Sequence, residues 1–216
     1  MNINSFINHM SLGAALEPQQ IKVLCNEAKT QRFASVYVNE IYVSLASKEL
    51  EGSSVKVGTV IGYPFGTSST KVKIFEVKNA IENGASEISL ILNLGMLKSR
   101  NIEYIKNELK EIKATVGKNS LKVVMELEYL TLEEQRKLID LCLDLKIENI
   151  ELLKRKISEE NILQIQEFTK NKLNLNLVGN VKDLSTLQRY VDLGIQRFNT
   201  TSGLKLSKEN NEKFWS

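Results

Sequence analysis

Along the chain, short runs rich in β-branched and aliphatic residues alternate with longer segments whose apolar residues return every three or four positions. The short runs lie at residues 34–38, 55–61, 87–93, 121–126, 149–153, 173–178 and 197–200, and these seven are expected to be strands. Between them, residues 17–31 and 131–145 have the clearest helical period, with Leu138, Leu141, Cys142 and Leu145 on one face of the second. Strand followed by helix, repeated, is the order of a parallel sheet. Leu90 to Leu92 and Val123 to Met125 are nearly continuous apolar runs, which predicts strands covered on both faces.

The punctuation agrees with that division. Thr131 followed by Glu134 makes a capping box, Ser158 precedes the helix beginning at Glu159, and Ser68 or Ser69 caps the helix that contains Lys71. Gly84 and Gly194 stand where helices should stop, because a glycine enters the left-handed backbone region without a Cβ clash. A short additional strand at residues 8–11 would bring the number to eight and close a barrel. An open doubly wound sheet is the competing architecture. It wants a glycine-rich phosphate loop after its first strand, and the turn there reads Asn39-Glu40-Ile41-Tyr42.

Composition narrows the function classes. With 216 residues the chain has the length of one domain, expected to run over 1–216. The net charge of +3 is spread along helices in which lysine and glutamate alternate, so no basic block marks a nucleic-acid partner. Cys25 and Cys142 are isolated and His9 is the one histidine, so neither a metal nor any other cofactor is expected. No run approaches the ~18 apolar residues of a membrane span and residues 1–12 lack a secretory pattern. A cytoplasmic, soluble protein is the expectation.

Several segments carry a family likeness. Phe33-Ala34-Ser35-Val36-Tyr37-Val38-Asn39, the run from Val55 to Gly66, Asn83-Gly84-Ala85-Ser86-Glu87-Ile88 leading to Asn93-Leu94-Gly95, and Lys122-Val123-Val124-Met125-Glu126 all resemble deoxyribose-phosphate aldolases, as does the register from Gly179 to Ser202. The resemblance spans nearly the whole chain. It implies a single-domain α/β fold, the (β/α)8 TIM barrel, with catalytic groups at the C-terminal ends of the strands. It also implies aldol cleavage through a lysine Schiff base assisted by a second lysine and an aspartate.

At those three positions this chain departs from the pattern. Ser89 stands for the aspartate and Asn176 for the second lysine, while a gapless count from Thr131 puts Glu151 on the Schiff-base lysine. Lys154 competes for that place if the preceding helix carries an insertion, but alternation sets Asn149, Glu151 and Leu153 on one face of the strand. An imine requires a neutral amine, and a carboxylate cannot supply it. Glu151 and Glu126, on adjacent strands, are the candidate acid–base pair; Glu126 has a structural reading too, since the family keeps a glutamate there.

The resemblance places substrate-orienting groups at Ser89, Asn93, Asn176 and Tyr37, with Tyr37 expected to narrow the barrel mouth. Gly179, Asn180, Thr201 and Ser202 fall on the family's phosphate site, where Asn180 and Asn199 replace glycines, and Lys154, Arg155 and Lys156 could form a cationic clamp. His9 is expected to pack or hydrogen-bond near the mouth. Tyr129 and Trp215 have no assignable role. Three functions follow: a repurposed enzyme acting on a small anionic carbonyl or sugar-like metabolite, an inactive binding or scaffold protein, or an aldolase using Lys154. The partner in each case is a small molecule, phosphorylated or otherwise anionic, bound by a monomer or homodimer, with no membrane partner.

Overall fold

In the computed structural model, which describes residues 3–153, 156–179 and 181–214, the strands close on themselves. They are β1 Ile7–Ser11, β2 Ser35–Val38, β3 Lys56–Ile61, β4 Glu87–Ile91, β5 Ser120–Glu126, β6 Asn149–Leu153, β7 Asn174–Val178 and β8 Ile195–Thr200. All neighbours pair in parallel, and β8 returns to β1 through Asn8 opposite Asn199. The helices are α1 Pro18–Gln31, α2 Val43–Glu49, α3 Thr70–Glu82, α4 Leu94–Lys98, α5 Ile102–Val116, α6 Leu132–Asp144, α7 Glu159–Thr169, α8 Leu184–Asp192 and α9 Gly203–Phe214. This is the single-domain (β/α)8 barrel expected from the sequence, and the short strand at its start is real.

Local chemistry sets the element ends. Thr131 and Glu134 exchange side-chain and backbone hydrogen bonds at the start of α6, and Ser158 caps α7. Gly84 and Gly194 take φ of 106° and 86° after α3 and α8. Two strand ends move by two residues: β8 begins at Ile195, and β4 stops at Ile91 instead of Asn93, because the Asn93 side chain accepts from the Met96 amide and starts α4. Between α3 and α5 lies an ion pair that periodicity did not reveal. Lys73 Nζ sits 3.0 Å from Glu108 and donates to the Ile91 carbonyl at 2.9 Å, with both side chains fully buried.

Both faces of the strands are buried, as expected, but they are not both apolar. One face is: Val36, Val38, Ile88, Leu90, Leu121, Val123, Met125, Ile150, Leu152, Leu175, Leu177 and Phe198 belong to the core that lies between strands and helices. The alternate positions mix apolar residues such as Ile91 and Val124 with many polar ones. Ser35, Glu87, Ser89, Lys122, Glu151, Asn176 and Asn199 are all buried, and hydrogen bonds join Ser35 through Asn8 and Asn199 to Glu151, and Lys122 to Glu87. Barrel interiors are ordinarily filled by branched apolar side chains in layers, so a polar interior must satisfy its own hydrogen bonds or hold water.

Candidate active site

Closure of the barrel gathers the polar face of every strand around one axis. Asn8 on β1 accepts from the Ser35 hydroxyl at 2.7 Å and donates to Asn199 at 2.5 Å. The Asn199 amide in turn donates to Glu151 Oε1 at 2.9 Å. On the other side, Lys122 Nζ lies 2.7 Å from Glu87 and 3.8 Å from Glu151, and the Tyr37 hydroxyl donates to Glu87 at 3.1 Å. The Lys122 ammonium also stands 5.0 Å from the centre of the Tyr37 ring.

The electrostatics separate the two glutamates. Burial alone would raise the Glu87 carboxyl, yet the Lys122 ammonium and the Tyr37 and Lys122 hydrogen bonds outweigh it and hold Glu87 below the usual carboxylate range. At Glu151 burial dominates and the carboxyl is pushed up, with Lys122, Ser89 and Asn199 only partly opposing. Burial, reinforced by the charges of Glu87 and Glu151, pushes the Tyr37 phenol well above its ordinary value. Ser89 tempers the shifts of Glu151 and Tyr37 by its proximity, although its buried hydroxyl makes no hydrogen bond of good geometry.

The three positions assigned to the family's catalytic groups do converge. Glu151 pairs directly with Asn176 in the β6–β7 register, and Ser89 lies against Glu151 from β4. Asn176 itself donates to the Ile150 carbonyl at 3.1 Å, so its amide is engaged with the neighbouring strand. Glu126 does not join them. Burial raises its carboxyl, but it lines a separate cavity of about 380 Å³ with Phe65, Lys98 and Tyr129 at the C-terminal end of the barrel, which Glu151 does not reach. The expected Glu126–Glu151 pair is therefore not formed.

Other expectations shift in place. Tyr37 is fully buried inside the barrel, lying over Gly58, rather than at the rim. His9 points away from the barrel axis, pairs with Glu27 at 2.8 Å and meets the Phe33 ring edge-on at 5.3 Å. Asn93 caps α4. Gly179, Thr201 and Ser202 follow the ends of β7 and β8, with the Ser202 amide donating to Thr200. Lys154, Arg155, Asn180 and Trp215 lie outside the described residues, and Lys156 is exposed. Among the described residues no cluster of His, Cys, Asp or Glu is arranged to hold a metal, and no helix is long and apolar enough to cross a membrane.

Comparison with known proteins decides the family. The family model described as DeoC/LacD family aldolase matches residues 8–155. The chain belongs to the DeoC/LacD aldolase family. It is 38% identical over 215 residues to the deoxyribose-phosphate aldolase of Treponema denticola, covering 95% of this chain and 98% of that protein. With the deoxyribose-phosphate aldolase of Clostridium tetani the identity is 33%, over 97% of this chain and 100% of the other. A solved aldolase, QR15, superposes with a TM-score of 0.93 at 28% identity, covering 99% of this chain and 97% of its own. The tetrameric deoxyribose phosphate aldolase of Aeropyrum pernix, 19% identical, shares the fold at a TM-score of 0.87, over 98% of this chain and 92% of its own.

The sequence reading undervalued Lys122, Glu87 and Asn199. The motifs carry Lys122 and Glu87 without giving either a role, whereas in the barrel Lys122 lies 2.7 Å from Glu87 and 3.8 Å from Glu151. The available signal was parity: each of these residues sits two positions from another polar residue on its own strand, as in Glu87 and Ser89 or Ser120 and Lys122.

Proposed function

We propose that this member of the aldolase family does not carry out imine chemistry and instead holds a small anionic or sugar-like metabolite without covalent attachment. The observation that supports this reading is the environment of Glu151. It occupies the position that motif counting matches to the Schiff-base lysine, lies in mid-strand on β6, is 1% exposed, and hydrogen-bonds to Asn199. A nucleophilic amine must be neutral and free to meet a carbonyl carbon. Lys122 is committed to Glu87 at 2.7 Å, and the positions matched to the family's other two groups hold a hydroxyl and an amide. The relatives' names supply the ligand class, a small phosphorylated sugar.

Borohydride reduction in the presence of acetaldehyde, followed by mass spectrometry of the intact and digested protein, tests the reading. An unmodified chain is the expected result; an acetaldehyde-derived adduct on Lys154 or Lys122 overturns it. Binding is read separately by thermal shift with a panel of sugar phosphates, where ligand at a hundredfold excess over Kd stabilises by about 2.7 kcal/mol.

A second reading, acid–base catalysis on a carbonyl or sugar substrate, draws support from the raised carboxyl of Glu151 beside a lysine. It requires Glu151→Gln to abolish turnover while leaving binding intact. Glu151 lines neither the cavity around Glu126 nor the one that holds Lys122, which favours the binding reading.

A further inference from the structure

The polar interior is reached from the end of the barrel opposite the catalytic one. At the N-terminal ends of the strands a cavity of about 230 Å³ runs inward to Lys122, bounded by Lys56, Glu87, Asn149, Asn174 and Arg197. Asn149, Asn174 and Arg197 are only half-buried and the Lys56 side chain is 58% exposed, so solvent enters there. The cavity shares Lys56 and Asn149 with a groove of about 480 Å³ to which Lys118 and Lys146 contribute.

Charge and chemistry define what fits. Lys56, Lys122 and Arg197 outnumber the carboxylate of Glu87, which Lys122 approaches at 2.7 Å and the more exposed Lys56 only at 3.9 Å, while Arg197 also donates to the Ser5 carbonyl. Asn149 and Asn174 hydrogen-bond to each other at 3.1 Å through one amide hydrogen and one oxygen, leaving donor and acceptor capacity on both. A layer of amides and ammonium groups at the barrel floor costs stability relative to the branched apolar residues usual there. Such a layer recognises an oxyanion through its cations and hydroxyl groups through its amides.

We propose that this N-terminal cavity is a binding site for a small phosphorylated polyol, the phosphate held by Lys56 and Arg197 and the hydroxyls by Asn149 and Asn174. The site is separate from the Gly179–Ser202 region, and its existence does not depend on whether an imine can form. The volume admits a molecule of the size of a pentose phosphate, entering from the groove.

Titration calorimetry with ribose 5-phosphate, inorganic phosphate and neutral ribose tests the assignment. Lys56→Gln and Lys56→Glu should each weaken ribose 5-phosphate by about tenfold or more, because a charge-assisted contact is lost. Lys110→Gln, an exposed position on α5 outside the cavity, should leave it unchanged. Neutral ribose should bind far more weakly than ribose 5-phosphate. Lack of ribose 5-phosphate binding at millimolar concentration overturns the proposal, as does binding that survives both Lys56 variants. Inorganic phosphate binding as tightly as the sugar phosphate removes the role given to the amides. Should Lys56→Glu prove unstable by circular dichroism, Lys56→Gln alone decides. An acetaldehyde adduct would overturn the proposed function without touching this result.

Discussion

Removing the amine of Lys122 while keeping its length, as in Lys122→Met, isolates the contribution of the central ion pair. The pair spans 2.7 Å between side chains that are 4% and 5% exposed. At an effective dielectric constant of about 20, that separation carries about 6 kcal/mol of gross attraction. Tyr37 at 3.1 Å and Lys56 at 3.9 Å continue to hold Glu87 after the substitution. Breaking a buried pair typically costs about 3–5 kcal/mol, since one charge stays behind, and methionine fills the vacated volume with little cavity cost. Urea unfolding followed by circular dichroism at pH 7 should show that loss with an unchanged m-value. The native carboxyl of Glu87 lies below its unfolded value, so its contribution is present above the unfolded carboxylate pKa and is lost as pH falls through the depressed one. The deficit of the variant should therefore shrink in acid. Adding Glu87→Gln should restore part of the stability, with a coupling of about 1–3 kcal/mol. A loss below about 1 kcal/mol at neutral pH, or no coupling, would refute the claim that this pair is desolvated and ionised.

Two further outcomes follow from the same interior. Glu151 has its native carboxyl raised, so the stability it contributes is present below the unfolded carboxylate pKa and is lost as pH rises through the native value. Glu151→Gln keeps an acceptor for Asn199 and should gain stability relative to the parent as pH increases from acid to pH 8; a difference independent of pH in denaturation series would contradict this. A Cβ on residue 58 would lie 2.5 Å from Tyr37 Cζ, so Gly58→Ala should cost about 1–3 kcal/mol by overpacking. In a Tyr37→Leu background that cost should vanish, and strictly additive melting shifts would count against the packing explanation.

Much of the fold could be read from residue order because its determinants are local. Thr131 with Glu134, Ser158, Gly84 and Gly194 act within a turn or two of chain, and each behaves as its neighbours dictate. The end of β4 was misplaced because Leu92 and Asn93 fit an apolar strand as well as a helix start, and the Asn93 cap depends on the backbone turning. The candidate site was legible in part. Motif counting set Ser89, Glu151 and Asn176 at one site, and in the barrel Ser89 and Asn176 both adjoin Glu151, but it placed Tyr37 at the rim and joined Glu126 to Glu151. Strand parity is a local property, whereas the depth at which a side chain sits depends on how strands stagger around the barrel.

By itself the sequence determined the alternation of strand and helix, the caps that bound them, and a two-residue rhythm that puts Glu87 with Ser89 and Asn149 with Glu151 on one face. Only the closed barrel decided which polar groups meet: Asn199 reaches both Asn8 and Glu151, and Lys122 leans toward Glu87 more closely than toward Glu151. Backbone periodicity is fixed over a few residues by sterics and hydrogen bonding, whereas these contacts join side chains from strands far apart in the chain. Their geometry exists only once β8 has paired with β1.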